Sequence, residues 1–366
     1  MTKKGRSNLN DDKRLYFIRN IEAIKKGDTD IHIIEYEIIT DTHIVGKLKY
    51  GPYYFTLWEY GLKQKGEERK LCLRIHERAF PSVYQPEKPP QRSGYYHGGS
   101  IADELVYLAS LFLRRRFILG PIVRWNDEPS LFSKDKTKWL DKQLITGKSN
   151  LEELTEWLQL AEGLDKNFHQ RFILAARLYH RAILFIEEQP DMAYLDLISA
   201  IEILSNDHDI GNLTLADLDN PKLENYVRSV DNEELRCNLE ENIVKLRRFI
   251  KRRFIAFMLC HTEESFWTEK ERPQHGKIQR KDLARLLGLI YKQRSKTLHN
   301  GEPFPAYIYS TPPRGEEISS SLGISKGEKM WEPKEFIPYP HFFERLVNHV
   351  LKTFLKRHQV ERENTN

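Results

Sequence analysis

The alternation of apolar and polar positions changes character along the chain. Between residues 31 and 75 it is short in period and rich in β-branched and aromatic side chains. Residues 31–39 (IHIIEYEII) partly alternate, 53–58 (YYFTLW) are aromatic-rich, and 70–75 (KLCLRI) partly alternate again. Gly46, Gly51, Gly61 and Gly66 punctuate these runs as turns do, which predicts a small antiparallel sheet. Residues 1–14 are polar, as in a frayed terminus. Residues 81–100 hold four prolines and three glycines and read as a loop leading out of the sheet. Ser100 is then a good N-cap, with Asp103 and Glu104 in the first turn of a helix. That helix is expected to run to about Phe117 and to end at Gly120-Pro121.

From residue 150 the period lengthens to that of a helix. Helices are expected over 151–161, 168–188, 192–204, 239–259, 281–298 and 341–357, with Pro190 breaking the second from the third. Phe172, Leu174, Ala175, Leu178 and Ile183 are core candidates on the second. Phe342, Leu346, Val350 and Phe354 form one stripe on the last. Residues 205–220, 262–276 and 301–338 read as polar or Pro/Gly/Ser-rich connections. The predicted class is therefore α+β: a β-rich domain over 1–149, with a helix at about 101–117, followed by a helical bundle over 150–366.

Composition narrows the function classes. A length of 366 residues suits two domains, at roughly 100–200 residues each. Cys72, Cys237 and Cys260 are too few and too scattered for a disulfide framework or a zinc knuckle. The polar N-terminus does not read as a signal peptide. No run reaches the ~20 apolar residues of a membrane span; the most apolar stretch, 105–119, is interrupted by Arg114, Arg115 and Arg116. A cytoplasmic protein without membrane contact is expected. There is no Walker loop, GxGxxG, HExxH or GxSxG pattern, and His97 has no ligand partners at metal spacing, so no cofactor and no metal are expected. His180, on an apolar helix, reads as a core histidine. A formal net charge of +5 is compatible with RNA binding only where the cations cluster.

Two segments carry candidate chemistry. The run 291–303 (YKQRSKTLHNGEP) closes an apolar helix and holds Arg294 and His299 five positions apart. A regular helix would separate them by about 140°, so a loosening at Asn300-Gly301 is expected to bring both to one cleft. A guanidinium grips phosphate oxygens by a bidentate fork, and an imidazole exchanges protons near neutral pH. These are minimal parts for cleaving RNA without a metal. The same two residues would also serve as a helix-end charge and a cap. Tyr291, three positions before Arg294, would line the same cleft or simply fill core. The second segment, 245–253, holds Lys245, Arg247, Arg248, Lys251, Arg252 and Arg253 and would track an RNA backbone or form a solvated helix face.

The pattern Tyr-x-x-Arg-Ser-Lys-x-x-His-Asn-Gly at 291–301 resembles the Arg-x4–6-His motif of the HEPN superfamily, and is most similar to its Apea-like branch. The segment 193–205 (AYLDLISAIEILS) is similar to the earlier helix of that fold, with Glu202 at its acidic position. Where many ribonucleolytic relatives have Asn after the Arg, this chain has Ser295. The resemblance covers about residues 150–357. It implies a homodimeric, metal-independent endoribonuclease that leaves 2′,3′-cyclic phosphate ends, of toxin-like or antiviral-defence character, with a cognate antitoxin or defence-system partner. Arg294, His299 and Glu202 would be catalytic. Tyr291, Ser295, Lys296 and Asn300, with Lys245, Arg248 and Arg252, would contact RNA. A HEPN module that binds RNA or nucleotide without cutting, and a purely dimerising interaction protein, remain alternatives. In the latter the N-terminal domain would do the recognising.

Overall fold

The computed structural model describes residues 14–27, 30–58, 70–78, 99–126, 128–129, 145, 147–211, 213–218, 220–246, 249–269, 272–312, 315–321, 323–326 and 329–360. The chain is α+β. Helix α1 (Tyr16–Lys25) precedes strands β1 (Ile31–Ile39), β2 (His43–Val45), β3 (Leu48–Tyr50), β4 (Tyr53–Trp58) and β5 (Lys70–Arg78). Helix α2 (Ile101–Leu113) leads to β6 (Ile118–Trp125), β7 (Glu128–Pro129) and β8 (Lys148–Asn150). Then come α3 (Leu154–Glu162), α4 (His169–Phe185), α5 (Pro190–Ser205), α6 (Pro221–Arg228), α7 (Glu233–Leu246), α8 (Ile250–His261), α9 (Glu264–Trp267) and α10 (Leu283–Asn300). A hairpin of β9 (Ile324–Lys326) and β10 (Lys329–Trp331) precedes α11 (Pro340–Arg357).

The antiparallel sheet has the order β3-β4-β5-β1-β6-β7. In register, Ile34 faces Ile75 and Ile38 faces Leu71, and all four are buried. The expected helix end at Gly120-Pro121 is corrected. Both residues lie inside β6, where the β1–β6 register shifts between Tyr36 and Ile38. A Cβ on Gly120 would come within 2.9 Å of the Glu37 carbonyl oxygen, so glycine is needed for the strands to approach. Helix α2 stops earlier, at Arg114, which takes a left-handed conformation with φ 54°. Pro190 does not merely break a helix; it is the first residue of α5, where its missing N–H costs nothing.

Helix α1 was not expected. It buries Phe17, Ile18 and Ile21, and the backbone N–H groups of Tyr16 and Phe17 donate to the fully buried Glu104 carboxylate at 3.0 and 2.9 Å. An anion at a helix start satisfies donors that no turn of the helix can.

The buried apolar residues on either side of residue 150 form one continuous core. Polar links cross the same line. Arg114 Nε and Nη2 donate to the buried Glu344 of α11, and Tyr179 Oη of α4 donates to it too. Asn348 Nδ2 donates to the Leu111 carbonyl at 2.6 Å. The stripe Phe342, Leu346, Val350 and Phe354 is fully buried, while Leu174 and Leu178 are half-buried. Among the described residues, no helix is long and apolar enough to cross a membrane.

Burial also sets an acid limit on this fold. Burial, joined by repulsion from Arg357, His358 and His208 and opposed by the bond to the Phe257 carbonyl, brings His261 down to about 4. A histidine whose folded pKa lies below its ordinary ~6.5 stabilises the fold above pH 6.5, and that stability is lost as pH falls toward 4. For His261 alone, lowering pH from 7.5 to 5 is expected to cost about 2 kcal/mol, readable as a reduced urea midpoint. Equal midpoints at the two pH values would contradict this.

Candidate functional site

Helix α10 buries Leu283, Leu286, Leu287, Ile290 and Tyr291. That leaves Arg294, one turn beyond Tyr291, at the margin of the core. Glu202 reaches the same place from α5, whose Ile198, Ala200 and Ile201 are buried around it. Tyr291 Oη donates to Glu202 Oε1 at 2.7 Å, and Arg294 Nη2 donates to Oε2 at 3.0 Å. The two charged side chains keep 22% and 17% of their surface. The Arg294 guanidinium lies 5.5 Å from the centre of the Tyr291 ring, and Phe254 of α8 backs that ring at 5.4 Å. Each carboxylate oxygen thus has its own donor, and Arg294 is clamped through Nη2. Its Nε and Nη1 make no hydrogen bond among the described residues.

Burial raises the Tyr291 phenol pKa, and its bond to Glu202 raises it further. It remains a donor across the physiological range, so its role is to orient the carboxylate.

The end of the helix departs from expectation. Helix α10 continues through Asn300, and Gly301 caps it at φ 68°. The turn beyond is tied back to the helix. Thr297 Oγ1 donates to the Glu302 carbonyl at 2.7 Å, Gln293 Nε2 to the Pro303 carbonyl at 3.0 Å, and Lys296 pairs with Glu302 at 3.0 Å. These contacts hold the last turn regular, so the expected loosening at Asn300-Gly301 does not occur. Arg294 and His299 therefore project about 140° apart, with a rise of about 7.5 Å between them. His299 and Asn300 are exposed beside Leu298, which keeps 52% of its surface. His299 makes no hydrogen bond among the described residues. Ser295 is half-buried, and Lys296 is engaged by Glu302.

The expected basic helix over 239–259 is also corrected. It is two helices, α7 and α8, broken at Phe249 in a left-handed conformation with φ 48°. Arg247, Arg248 and the Lys245 side chain lie outside the described residues. Arg252 pairs with Asp217 at 2.6 Å, and Arg253 Nη1 donates to the His208 carbonyl. Bonds from Thr214, then that of Arg252, hold the Asp217 carboxyl down at about 2, so the pair stays charged. Lys251 is exposed. The cations at 251–253 do not line up as one continuous track.

The site thus brings together Glu202, Tyr291 and Arg294, and sets His299 apart from them. The Tyr291–Glu202 bond was not foreseen; the spacing of Tyr291 and Arg294 on one helix face was the available signal. Among the described residues, no group of three or more His, Cys, Asp or Glu side chains is placed to hold a metal ion. No family model, curated protein or solved structure matches this chain.

Proposed function

We propose that this chain is an RNA endonuclease of the HEPN type, acting through Arg294 and His299. The observation that carries the reading is the clamp on Arg294. A guanidinium at a helix margin, fixed by a carboxylate that a tyrosine fixes in turn, is preorganised to meet a phosphate with its remaining N–H groups. His299, exposed on the same helix, is available for proton transfer.

The 140° between the two side chains argues that one copy does not present both to the same phosphate. Two copies meeting at the end of α10 would supply two imidazoles and two guanidiniums. One imidazole then takes the proton from the ribose 2′-OH as O2′ bonds to phosphorus. The P–O5′ bond breaks, and the other imidazole gives its proton to O5′, leaving a 2′,3′-cyclic phosphate and a 5′-hydroxyl. The guanidiniums stabilise the charge that builds on the phosphoryl oxygens.

The neutralisation of Arg294 by Glu202 also favours a second reading, an RNA-binding module that does not cut. Incubation of the full chain with end-labelled RNA in EDTA separates the two. Cleavage with cyclic phosphate ends is the expected outcome, from a protein that scatters light as a dimer. Binding without cleavage supports the second reading. Products with 3′-hydroxyl ends, or activity only after a divalent metal is restored, would overturn the first, and a cleaving monomer would remove the two-copy arrangement.

A further inference from the structure

Trp157 of α3 stacks one face of its indole on the buried Phe112 of α2, with ring centres 5.3 Å apart and planes 16° from parallel. Two ammonium groups of α11 sit over the same side chain. Lys352 Nζ lies 4.9 Å and Lys356 Nζ 5.2 Å from the ring centre. The two lysines are four positions apart on one helix, so their side chains are neighbours, and like charges at that spacing repel. Their settings differ: Lys352 is half-buried and Lys356 is exposed. Neither makes a hydrogen bond or an ion pair among the described residues. None of Glu202, Tyr291, Arg294 and His299 takes part in this cluster.

Two like charges over one ring favour the release of one proton. The half-buried amine is the one that gives it up, because water hydrates the ammonium of Lys356. Burial brings the Lys352 pKa down to about 8; Arg114 and Lys356 push the same way, and Glu344 and Glu153 oppose them. About a quarter of the Lys352 side chains are then free amine at pH 7.5, against roughly one in a thousand for an ordinary lysine. Of the facing cations, Arg114 is already held by Glu344 through Nε and Nη2. Lys356 is the one placed to meet a new anion.

We propose that Lys352 is a carbamate site, its amine adding carbon dioxide to form a carboxylate that pairs with the Lys356 ammonium. The nitrogen lone pair bonds to the carbon, one C=O π pair moves onto oxygen, and an N–H proton passes to water. No oxidant and no leaving group are needed. The product turns two repelling cations into an ion pair at a helical spacing of four. A three-atom electrophile suits a half-buried amine that an indole flanks. An acyl group would instead leave a neutral amide and give Lys356 no counter-charge.

The test equilibrates the full chain with isotopically labelled bicarbonate at about pH 7.5, traps carbamates as ethyl esters with triethyloxonium ion, and locates the label by peptide mass spectrometry. Lys352 is expected to carry about tenfold or more the label of the exposed Lys251, following its gain in free amine. Lys356→Gln, at an exposed position, should cut the Lys352 label about threefold or more, because it removes both the repulsion and the counter-charge. Lys356→Arg keeps both and should retain most of the label. The proposal is overturned if Lys352 carries no label, or no more than Lys251. It is overturned equally if Lys356→Gln is labelled like the parent, or if Lys356→Arg loses as much label as the glutamine variant.

Discussion

Glu344→Ala is expected to lower the unfolding free energy by about 3–5 kcal/mol. The Glu344 side chain is fully buried on α11 and accepts a forked pair of bonds from Arg114 at 2.9 and 2.6 Å, besides the Tyr179 hydroxyl. Truncation leaves a guanidinium at a strained left-handed helix end without its anion, and a fully buried hydroxyl without its acceptor. The same carboxylate ties α11 to α2 and to α4, so its loss loosens both flanks of the shared core. Glu344→Gln keeps an oxygen acceptor of the same size and should cost less than alanine. Urea unfolding reads the difference, and an alanine variant within about 1 kcal/mol of the parent would show that the buried pair contributes little.

The second large effect is on chemistry. Arg294→Ala is expected to reduce RNA cleavage by about 10²–10³-fold by removing charge stabilisation from the phosphorane. Arg294→Lys should recover little, because an ammonium cannot hold Glu202 and a phosphate oxygen with separate arms of a planar fork. Full activity in the lysine variant would mean that the position supplies only a positive charge. Both variants leave Glu202 with its bond from Tyr291, so the helix pair should keep its packing, and melting temperatures check that the loss is not unfolding.

The strands at 31–39 and 53–58 were legible to the residue, because β-branched and aromatic runs between glycines have few other uses. The helices that carry Glu202 and Arg294 were legible because their buried faces repeat at helical spacing. What escaped was decided by packing between distant segments. Gly120-Pro121 carries the signal of a helix stop, yet the glycine serves the approach of β6 to Glu37. The break at Phe249 has no glycine or proline to announce it. Helix α1 depends on Glu104, 88 positions after Tyr16, for its first N–H bond. The candidate site divides the same way. The spacing of Tyr291 and Arg294 is local and readable. The bond from Tyr291 to Glu202 spans 89 positions. The expected bend at Asn300-Gly301 failed for a local reason. Thr297, Gln293 and Lys296 bind the following turn and keep the helix intact to its cap.

The central claim rests on His299, because an exposed side chain without hydrogen bonds in the described structure has little structural work to lose. The direct test compares parent and His299→Ala on the same labelled RNA in EDTA, with melting temperature measured on both. The account predicts equal melting temperatures and a fall in cleavage rate of about 10²–10⁴-fold, the usual loss when a proton-transfer group is removed. Equal cleavage by two equally stable proteins would contradict it and reduce His299 to an exposed residue at the end of a helix.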